Sequence, residues 1–268
     1  MLYAAAAFAF RDCLRVTPLD IAILVAIGFL AGVSNAIVGG GTLFTFPVIL
    51  SVGVPPVLAN TTTTVALWPG TMTSARAQLP NLKGTQESLT PRVIGAALGG
   101  LIGALLLLAS GDALFFRLVP WLLAIATALF TFSRPIVRRI ARLSGANRSN
   151  QPALISMEFF SSIYGGYFGA AIGILLLASM ALAGEHDMRL ANAQRNFLVC
   201  FINGIATLVF VVTGVVDWTV ALIVMAGAIL GGYIGGRIAR LIPNEPLRHI
   251  VTAAGIIFSV VYFVRAYS

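Results

Sequence analysis

The stretch AGVSNAIVGGGTLFTFPVIL, residues 31–50, interrupts an apolar segment with a polar pair and a glycine triplet. Ser34 and Asn35 come first, the triplet 39–41 follows, and a short apolar segment then resumes. Glycine in a helix interior costs roughly 0.5–1 kcal/mol relative to alanine. The stretch therefore predicts the end of one helix and the start of another, and its purpose depends on the solvent that surrounds it.

The composition indicates that this solvent is lipid. Of the 268 residues, 59% are hydrophobic and only 10% are charged, and the mean hydropathy is +0.96. Soluble domains carry roughly 25% charged residues. Several apolar windows approach the ~20 residues that cross a hydrocarbon core, and the alternating strands of a membrane barrel are not seen. We predict an all-α polytopic membrane protein in the lipid bilayer.

The net charge of +8 could indicate a nucleic-acid partner. The basic residues, however, lie in short connections between apolar segments, which is typical of cytoplasmic loops. We therefore predict no nucleic acid among the partners.

Polar breaks divide each half of the chain into a similar series of apolar segments. They are 19–38, 42–53, 57–75, 90–109 and 113–133 in the first half, and 153–168, 172–183, 190–213, 218–238 and 248–266 in the second. The second segment of each half is too short to span a bilayer and is predicted to be broken or re-entrant. We predict two membrane repeats, residues 1–133 and 151–268, joined by a basic cytoplasmic linker, residues 134–150.

The charges of the connections predict how the halves are oriented. The connections 76–92, 134–150 and 237–248 are net positive and are expected in the cytoplasm. Those near Asp112 and Asp217 carry an acid without a base, and we expect them outside. Each half must then cross the membrane an odd number of times, so the prediction is a pair of inverted repeats with both termini outside.

A broken helix in lipid needs partners for its backbone N–H and C=O groups, so it lies inside protein or beside a wet cavity. The second half has a break of its own at YGGYFG, residues 164–169. Paired interruptions at corresponding positions are typical of the midplane site of a transporter. The glycine clusters 95–104 and 227–236 instead resemble close helix-packing faces.

Two polar stretches could contribute to such a site. In VLANTTTTVALWPG, residues 57–70, the threonine hydroxyls either bond their own helix backbone or face a substrate. In ANAQRNFLVCFING, residues 191–204, asparagines and Arg195 form a polar face on an otherwise apolar segment. Half-helices that begin after the breaks would aim free N–H groups at the same point, which favours a small anion.

Two charged residues each allow two interpretations. Arginine near the bilayer centre costs about 2.5–3.5 kcal/mol on insertion scales and usually lines a cavity, and its fork geometry suits an oxyanion. Arg195 either contacts such an anion or snorkels to the interface near its helix start. Glu158 is either a proton-coupling carboxylate, which would add coupled protons to the partners, or an acid at the interface.

The stretch 28–64, GFLAGVSNAIVGGGTLFTFPVILSVGVPPVLANTTTT, resembles the first-half signature of the TauE/SafE sulfite exporter family, also called the 4-toluene sulfonate uptake permease family. GGYFGAAIGILLLASMALAG and RLANAQRN, in residues 165–196, resemble its second-half signature. The resemblance covers nearly the whole chain. It implies transport of sulfite, sulfonates or related anions across the bacterial inner membrane. It also implies a substrate path near Gly40, Gly41, Asn60, Thr61, Gly169, Asn192 and Asn196.

These observations predict a multi-pass secondary transporter, an exporter of a small sulfur-containing anion that works by alternating access. A passive anion channel and a transporter of another small organic anion are the alternatives. His186 and His249 lack metal-ligand spacing, so we expect no enzyme, cofactor or metal. The predicted substrate-binding residues are Asn35, Gly40, Gly41, Asn60, Thr61, Gly169, Asn192, Arg195 and Asn196.

Overall fold

The computed structural model describes residues 17–37, 40–82, 86–143, 151–185, 187–238 and 244–267. These ranges form helices α1 (Pro18–Ile37), α2 (Thr42–Ser51), α3 (Pro56–Gln78), α4 (Gln86–Leu143), α5 (Gln151–Tyr167), α6 (Ile172–Leu182), α7 (Met188–Val212), α8 (Trp218–Ile238) and α9 (Asn244–Tyr267), with a short 3-10 turn at Leu79–Leu82. No strand occurs within the described ranges. The all-α prediction is confirmed, and the helices follow the predicted apolar segments closely.

α4 contains two predicted segments, 90–109 and 113–133, and the backbone is not helical at Gly111 between them. The helix bends at Gly111, where φ is +70°, a conformation that glycine adopts without steric cost. α4 therefore has an N-terminal arm before Gly111 and a C-terminal arm after it. The C-terminal arm continues to Leu143, so the first part of the predicted linker 134–150 is helical. The division of the chain into two repeats and a linker stays a prediction.

The lengths and surfaces of the helices are those of a multi-pass membrane protein. Windows long and apolar enough to span a bilayer lie in four helices, at Pro18–Asn35, Leu89–Ser133, Arg189–Val212 and His249–Tyr267. The window Leu89–Ser133 bends at Gly111 and has 45 residues. This length is sufficient for two crossings. Large apolar side chains such as Val212, 77% exposed, cover the outer surface, as contact with lipid requires. By contrast, α2 and α6 have only 10 and 11 residues and are too short to cross.

The two acidic connections lie at the same end of the helix bundle, as their charges predict. The Asp112 carboxylate accepts a hydrogen bond of 2.9 Å from the N–H of Val57, in the first turn of α3. The N–H of Asp217 donates to the hydroxyl of Thr62, one to two turns further along the same helix, at 3.0 Å. Both connections therefore meet the beginning of α3.

Helices of one half pack mainly against helices of the other half. α1 packs against α8, and the N-terminal arm of α4 packs against α5. α3 contacts α7, and the C-terminal arm of α4 contacts α9. The first helix of each half thus meets the fourth of the other, a reciprocal arrangement that a two-fold repeat requires. The inverted orientation of the repeats stays a prediction.

Glycine brings the backbones of these helix pairs into direct contact. A Cβ atom on Gly231 of α8 would overlap the carbonyl oxygen of Phe29 in α1. A Cβ atom on Gly103 of α4 would overlap the carbonyl oxygen of Ile163 in α5. Such close approach is possible only without a side chain. The prediction that the glycine clusters of α4 and α8 are packing faces is confirmed.

Replacing Gly231 by alanine should therefore destabilise the protein. Overpacking typically costs about 1–3 kcal/mol, so thermal unfolding of the purified Gly231→Ala variant in detergent should begin at a lower temperature. The matched control is Gly70→Ala in α3, where a Cβ would meet no atom within 4 Å. There alanine should be neutral or stabilising by roughly 0.5–1 kcal/mol. Equal effects of the two substitutions would contradict this account of the packing.

Candidate functional site

A cavity of about 100 Å³ lies where the two breaks of the helical backbone approach α3 and α7. Its polar wall consists of Asn35, Thr42, Thr71, Ser74, Arg195, Asn196 and Asn203. Its apolar wall includes Leu67, Phe130, Ile172, Ile174 and Val199. Backbone at Gly40, Gly169, Ala171 and Gly173 completes the lining. Residues from both halves of the chain thus enclose one amphipathic space.

The first break lies between the end of α1 at Ile37 and the start of α2 at Thr42. Gly40 has a φ of +85°, and a Cβ there would lie 2.8 Å from the Phe130 ring. The N–H of Gly41 donates to the Asn35 side-chain oxygen at 2.9 Å. Asn35 therefore satisfies one of the N–H groups at the start of α2, which lack acceptors within the helix. Asn35 and Gly40 line the cavity, whereas Gly41 lies behind them.

The second break lies between α5 and α6 and contains an unusual backbone. Gly169 has a φ of +80°, and Ala171 is the one non-glycine residue with positive φ among the described residues. An L-residue in this conformation costs roughly 1–2 kcal/mol. Ala171 forms the N-cap of α6 and provides no side-chain hydrogen bond to it. The first turn of α6 thus faces the cavity with its positive dipole end.

The side chain of Arg195 extends from α7 toward this first turn of α6. A Cβ on Gly173 would lie only 3.1 Å from Cδ of Arg195, so glycine provides the space for the side chain. Nε and Nη2 of Arg195 donate to the Asn196 side-chain oxygen at 3.1 and 2.8 Å. Among the described residues the one ion pair joins Arg92 to Glu158, so Arg195 has no carboxylate partner there. The guanidinium is an uncompensated cation in the cavity wall.

Glu158 is fully buried between helices. Its carboxylate accepts hydrogen bonds from Nε of Arg92, at 2.8 Å, and from Nη2 of Arg92. Both predicted roles, a proton-coupling carboxylate and an acid at the interface, stay predictions. The carboxylate also lies outside the cavity lining.

The cavity brings together five of the predicted substrate-binding residues, namely Asn35, Gly40, Gly169, Arg195 and Asn196. It does not include Gly41, Asn60, Thr61 or Asn192. Asn60 is buried, and its amide donates to the backbone oxygen of Tyr167 at 3.0 Å. It thereby connects α3 to the end of α5, next to the second break.

The threonine run of α3 follows the alternative in which the hydroxyls bond the backbone. The hydroxyl of Thr61 donates to the carbonyl oxygen of Leu58, at 3.0 Å. Those of Thr63 and Thr64 donate to the carbonyl oxygens four residues earlier. The described cavity contains none of these threonines.

Several polar residues of the cavity are missing from the predicted set. On α3, Thr71 and Ser74 follow Leu67 by four and seven residues, which is the spacing of one helix face. On α7, Asn203 follows Asn196 by seven residues and lies on the same face by the same rule. Helical spacing from Asn196 could have identified Asn203.

The sequence matches the family model described as "Sulfite exporter TauE/SafE" over residues 24–262. The chain belongs to the TauE/SafE family. It is 27% identical over 237 residues to a "Probable membrane transporter protein" of Haemophilus influenzae, covering 86% of this chain and 89% of that protein. It is 33% identical over 227 residues to "Probable membrane transporter protein ORF9" of a Sinorhizobium species, covering 82% and 83%.

A third TauE/SafE relative is "Probable membrane transporter protein YfcA" of Escherichia coli K12, 25% identical over 258 residues, or 93% of this chain and 92% of the relative. No solved structure gives a significant match. The family match and these names confirm the prediction of a membrane transporter rather than an enzyme.

Replacing Asn35 by aspartate tests whether the cavity receives an anion. A carboxylate can still accept the N–H of Gly41 and is favourable at a helix N-terminus, so Asn35→Asp should fold normally. It should nevertheless lose anion transport, because it adds a negative charge opposite Arg195. Transport in proteoliposomes and thermal stability measure the two effects separately.

Asn35→Ala is the control, because it removes the acceptor without adding charge. Leaving a buried donor unsatisfied costs about 1–3 kcal/mol, so this variant should lose stability. A folded Asn35→Asp variant that transports anions like the wild type would show that Asn35 does not face the substrate.

Proposed function

We propose that this protein exports a small sulfur-containing anion, such as sulfite or an organosulfonate, across the bacterial inner membrane by alternating access. The observation that carries the proposal is Arg195, which lies in a cavity between the two halves beside the uncapped start of α6. The family description and the bacterial origin of the relatives support the substrate class, the direction and the membrane.

The charge of Arg195 is the first argument for an anion. Arginine remains protonated in proteins and has five N–H donors. Asn196 accepts two of them, which leaves donors of the fork for a ligand. A cation within a membrane segment is costly unless a counter-charge compensates it. No described carboxylate lies close enough to do so, and a bound anion would supply that charge.

The helix starts are the second argument. The N-terminal turns of α6 and α2 both reach the cavity, through Ile172 and Thr42. Each such terminus stabilises a nearby anion by about 0.3–1 kcal/mol, and by up to ~2 kcal/mol when partly buried. The side-chain amide of Asn203 adds a further donor, whereas the hydroxyls of Thr71 and Ser74 donate to the backbone oxygens of Trp68 and Gly70. This donor set suits the several oxygens of a sulfite or sulfonate group.

The remaining wall suits a small organic substituent. Leu67, Phe130 and Val199 add apolar surface to the lining, so an organosulfonate could place its hydrocarbon part there. The volume of about 100 Å³ restricts the ligand to a few non-hydrogen atoms beyond the acidic group.

The position of the cavity supports alternating access. Discontinuous helices from two inverted repeats, meeting at one site, allow either half to close one side of a transporter. The two breaks belong to different halves and line the same space. Coupling to protons is part of the proposal, and the gradient dependence of flux tests it.

Replacing Arg195 provides the functional test. Proteoliposomes loaded with radiolabelled sulfite, methanesulfonate or thiosulfate should show saturable flux that responds to a proton gradient. Hydrogen bonds to charged groups are worth about 1.5–3 kcal/mol, so Arg195→Gln should lower transport efficiency by about 10- to 150-fold. Arg195→Lys should retain part of it, because the charge remains but the fork is lost.

The control is Arg117→Gln, which removes one positive charge from an exposed position of α4. It should transport like the wild type. Flux that does not saturate would identify a passive channel instead. Absence of flux for every anion tested, or full activity of Arg195→Gln, would overturn the proposal.

A further inference from the structure

A buried polar cluster connects three helices directly beside the cavity. It consists of Arg92 on the N-terminal arm of α4, Glu158 on α5 and Gln194 on α7, none of them more than 4% exposed. Besides the two hydrogen bonds to Glu158, Arg92 donates through Nη1 to the side-chain oxygen of Gln194, at 2.9 Å. A single arginine thus bonds to both neighbouring helices.

Stability alone does not explain this cluster. Replacing a buried ion pair by apolar side chains of similar volume is often neutral or stabilising, because both ions lose their hydration. At this buried position the pair gains less than leucine or methionine would. Buried polar groups do, however, fix one arrangement of the surrounding elements in some proteins.

The arrangement that the cluster fixes is the rotation of α7. Successive residues of an α-helix are about 100° apart around its axis. With Gln194 held against Arg92, the next side chain, Arg195, is directed away from Arg92 and toward α6. There Gly173 leaves room for it. The cluster therefore determines where the uncompensated cation of the cavity lies.

Glu158 also keeps the roles of the two arginines separate. It neutralises Arg92 with a two-pronged hydrogen-bonded pair, which leaves it no geometry for pairing with Arg195.

We propose that the buried Arg92–Glu158 pair is a positioning device for the anion site. Through Gln194 it anchors the first turns of α7, so that Arg195 points into the cavity. Arg92, Glu158 and Gln194 are thus positioning residues that do not touch the substrate. The inference rests on the proposed function in one respect only, namely the anion-binding role of Arg195.

The test replaces the pair as a unit. The double variant Arg92→Met with Glu158→Met leaves no unpaired charge and should fold. Its KM for radiolabelled sulfite in proteoliposomes should rise about tenfold, within the range of couplings between neighbouring residues, while the maximal rate per folded protein stays nearly unchanged. Arg117→Met, which removes an exposed charge, is the control and should leave KM unchanged.

The exchanged pair, Arg92→Glu with Glu158→Arg, provides the rescue. Glutamine can donate as well as accept, so Gln194 can rotate its amide and bond to the new carboxylate. This variant should recover most of the wild-type KM.

Hydrogen exchange supplies a readout that needs no substrate. Backbone amides of residues 188–198 should exchange about tenfold faster in the double methionine variant, as expected when a local anchor is lost, and the exchanged pair should restore their protection. If the wild type carries no anion tested, the proposed function fails, and this measurement still decides the inference.

Three results would overturn the inference. One is unchanged exchange over residues 188–198 in the folded double methionine variant. Another is a lower yield of folded protein with an unchanged KM, which would indicate a purely structural pair. The third is loss of proton-gradient dependence at constant KM, which would make Glu158 a coupling carboxylate.

Discussion

Lipid offers no hydrogen-bond partner to a peptide group, and this constraint governs the arrangement of the helices around the two breaks. Where the chain leaves the helical conformation between Ile37 and Thr42, and again between Tyr167 and Ile172, other helices must enclose it. At the first break, Gly40 is covered by Phe130 of α4 and Val251 of α9, which belong to different halves of the chain. Asn35 accepts an N–H group that the helix itself cannot satisfy. The packing of each half against helices of the other half therefore allows interrupted helices in this protein.

The same constraint determines which ligands the cavity favours. Two helix starts that cannot be solvated by lipid face a common cavity, and their dipoles favour negative charge there. Two arginines near this space, the buried Arg92 and the half-buried Arg195, have different partners. Arg92 is neutralised by Glu158, whereas Arg195 has no described carboxylate partner. An anion-transporting member of the TauE/SafE family requires a site of this kind.

Local patterns in the sequence predict much of this structure. Apolar runs between polar breaks give the helices to within a few residues, because the length of a lipid-spanning helix is fixed by the bilayer. Glycine clusters give the packing faces of α4 and α8, and the loop charges place Asp112 and Asp217 at one end. The predicted break between segments 90–109 and 113–133 coincides with Gly111, where the backbone leaves the helical conformation.

Contacts between distant segments could not be predicted in the same way. Arg92 and Glu158 are far apart in the chain, so neither residue indicates the other as its partner. Asn60 and Thr61 look like substrate ligands because they are polar in an apolar segment, but their partners are the backbones of Tyr167 and Leu58. Arg195, Asn196 and Asn35 do reach the cavity. They lie beside the two helix breaks, and these breaks must be shielded from lipid.

The most direct test of the central claim is to locate a bound anion in an experimental structure. Selenite resembles sulfite and scatters X-rays anomalously, so a crystal of the protein grown with selenite can be searched for its anomalous signal. We predict one peak within hydrogen-bonding distance of the Arg195 guanidinium and the first turn of α6. A peak elsewhere in a protein that transports sulfite, with the cavity beside Arg195 unoccupied, would contradict the account.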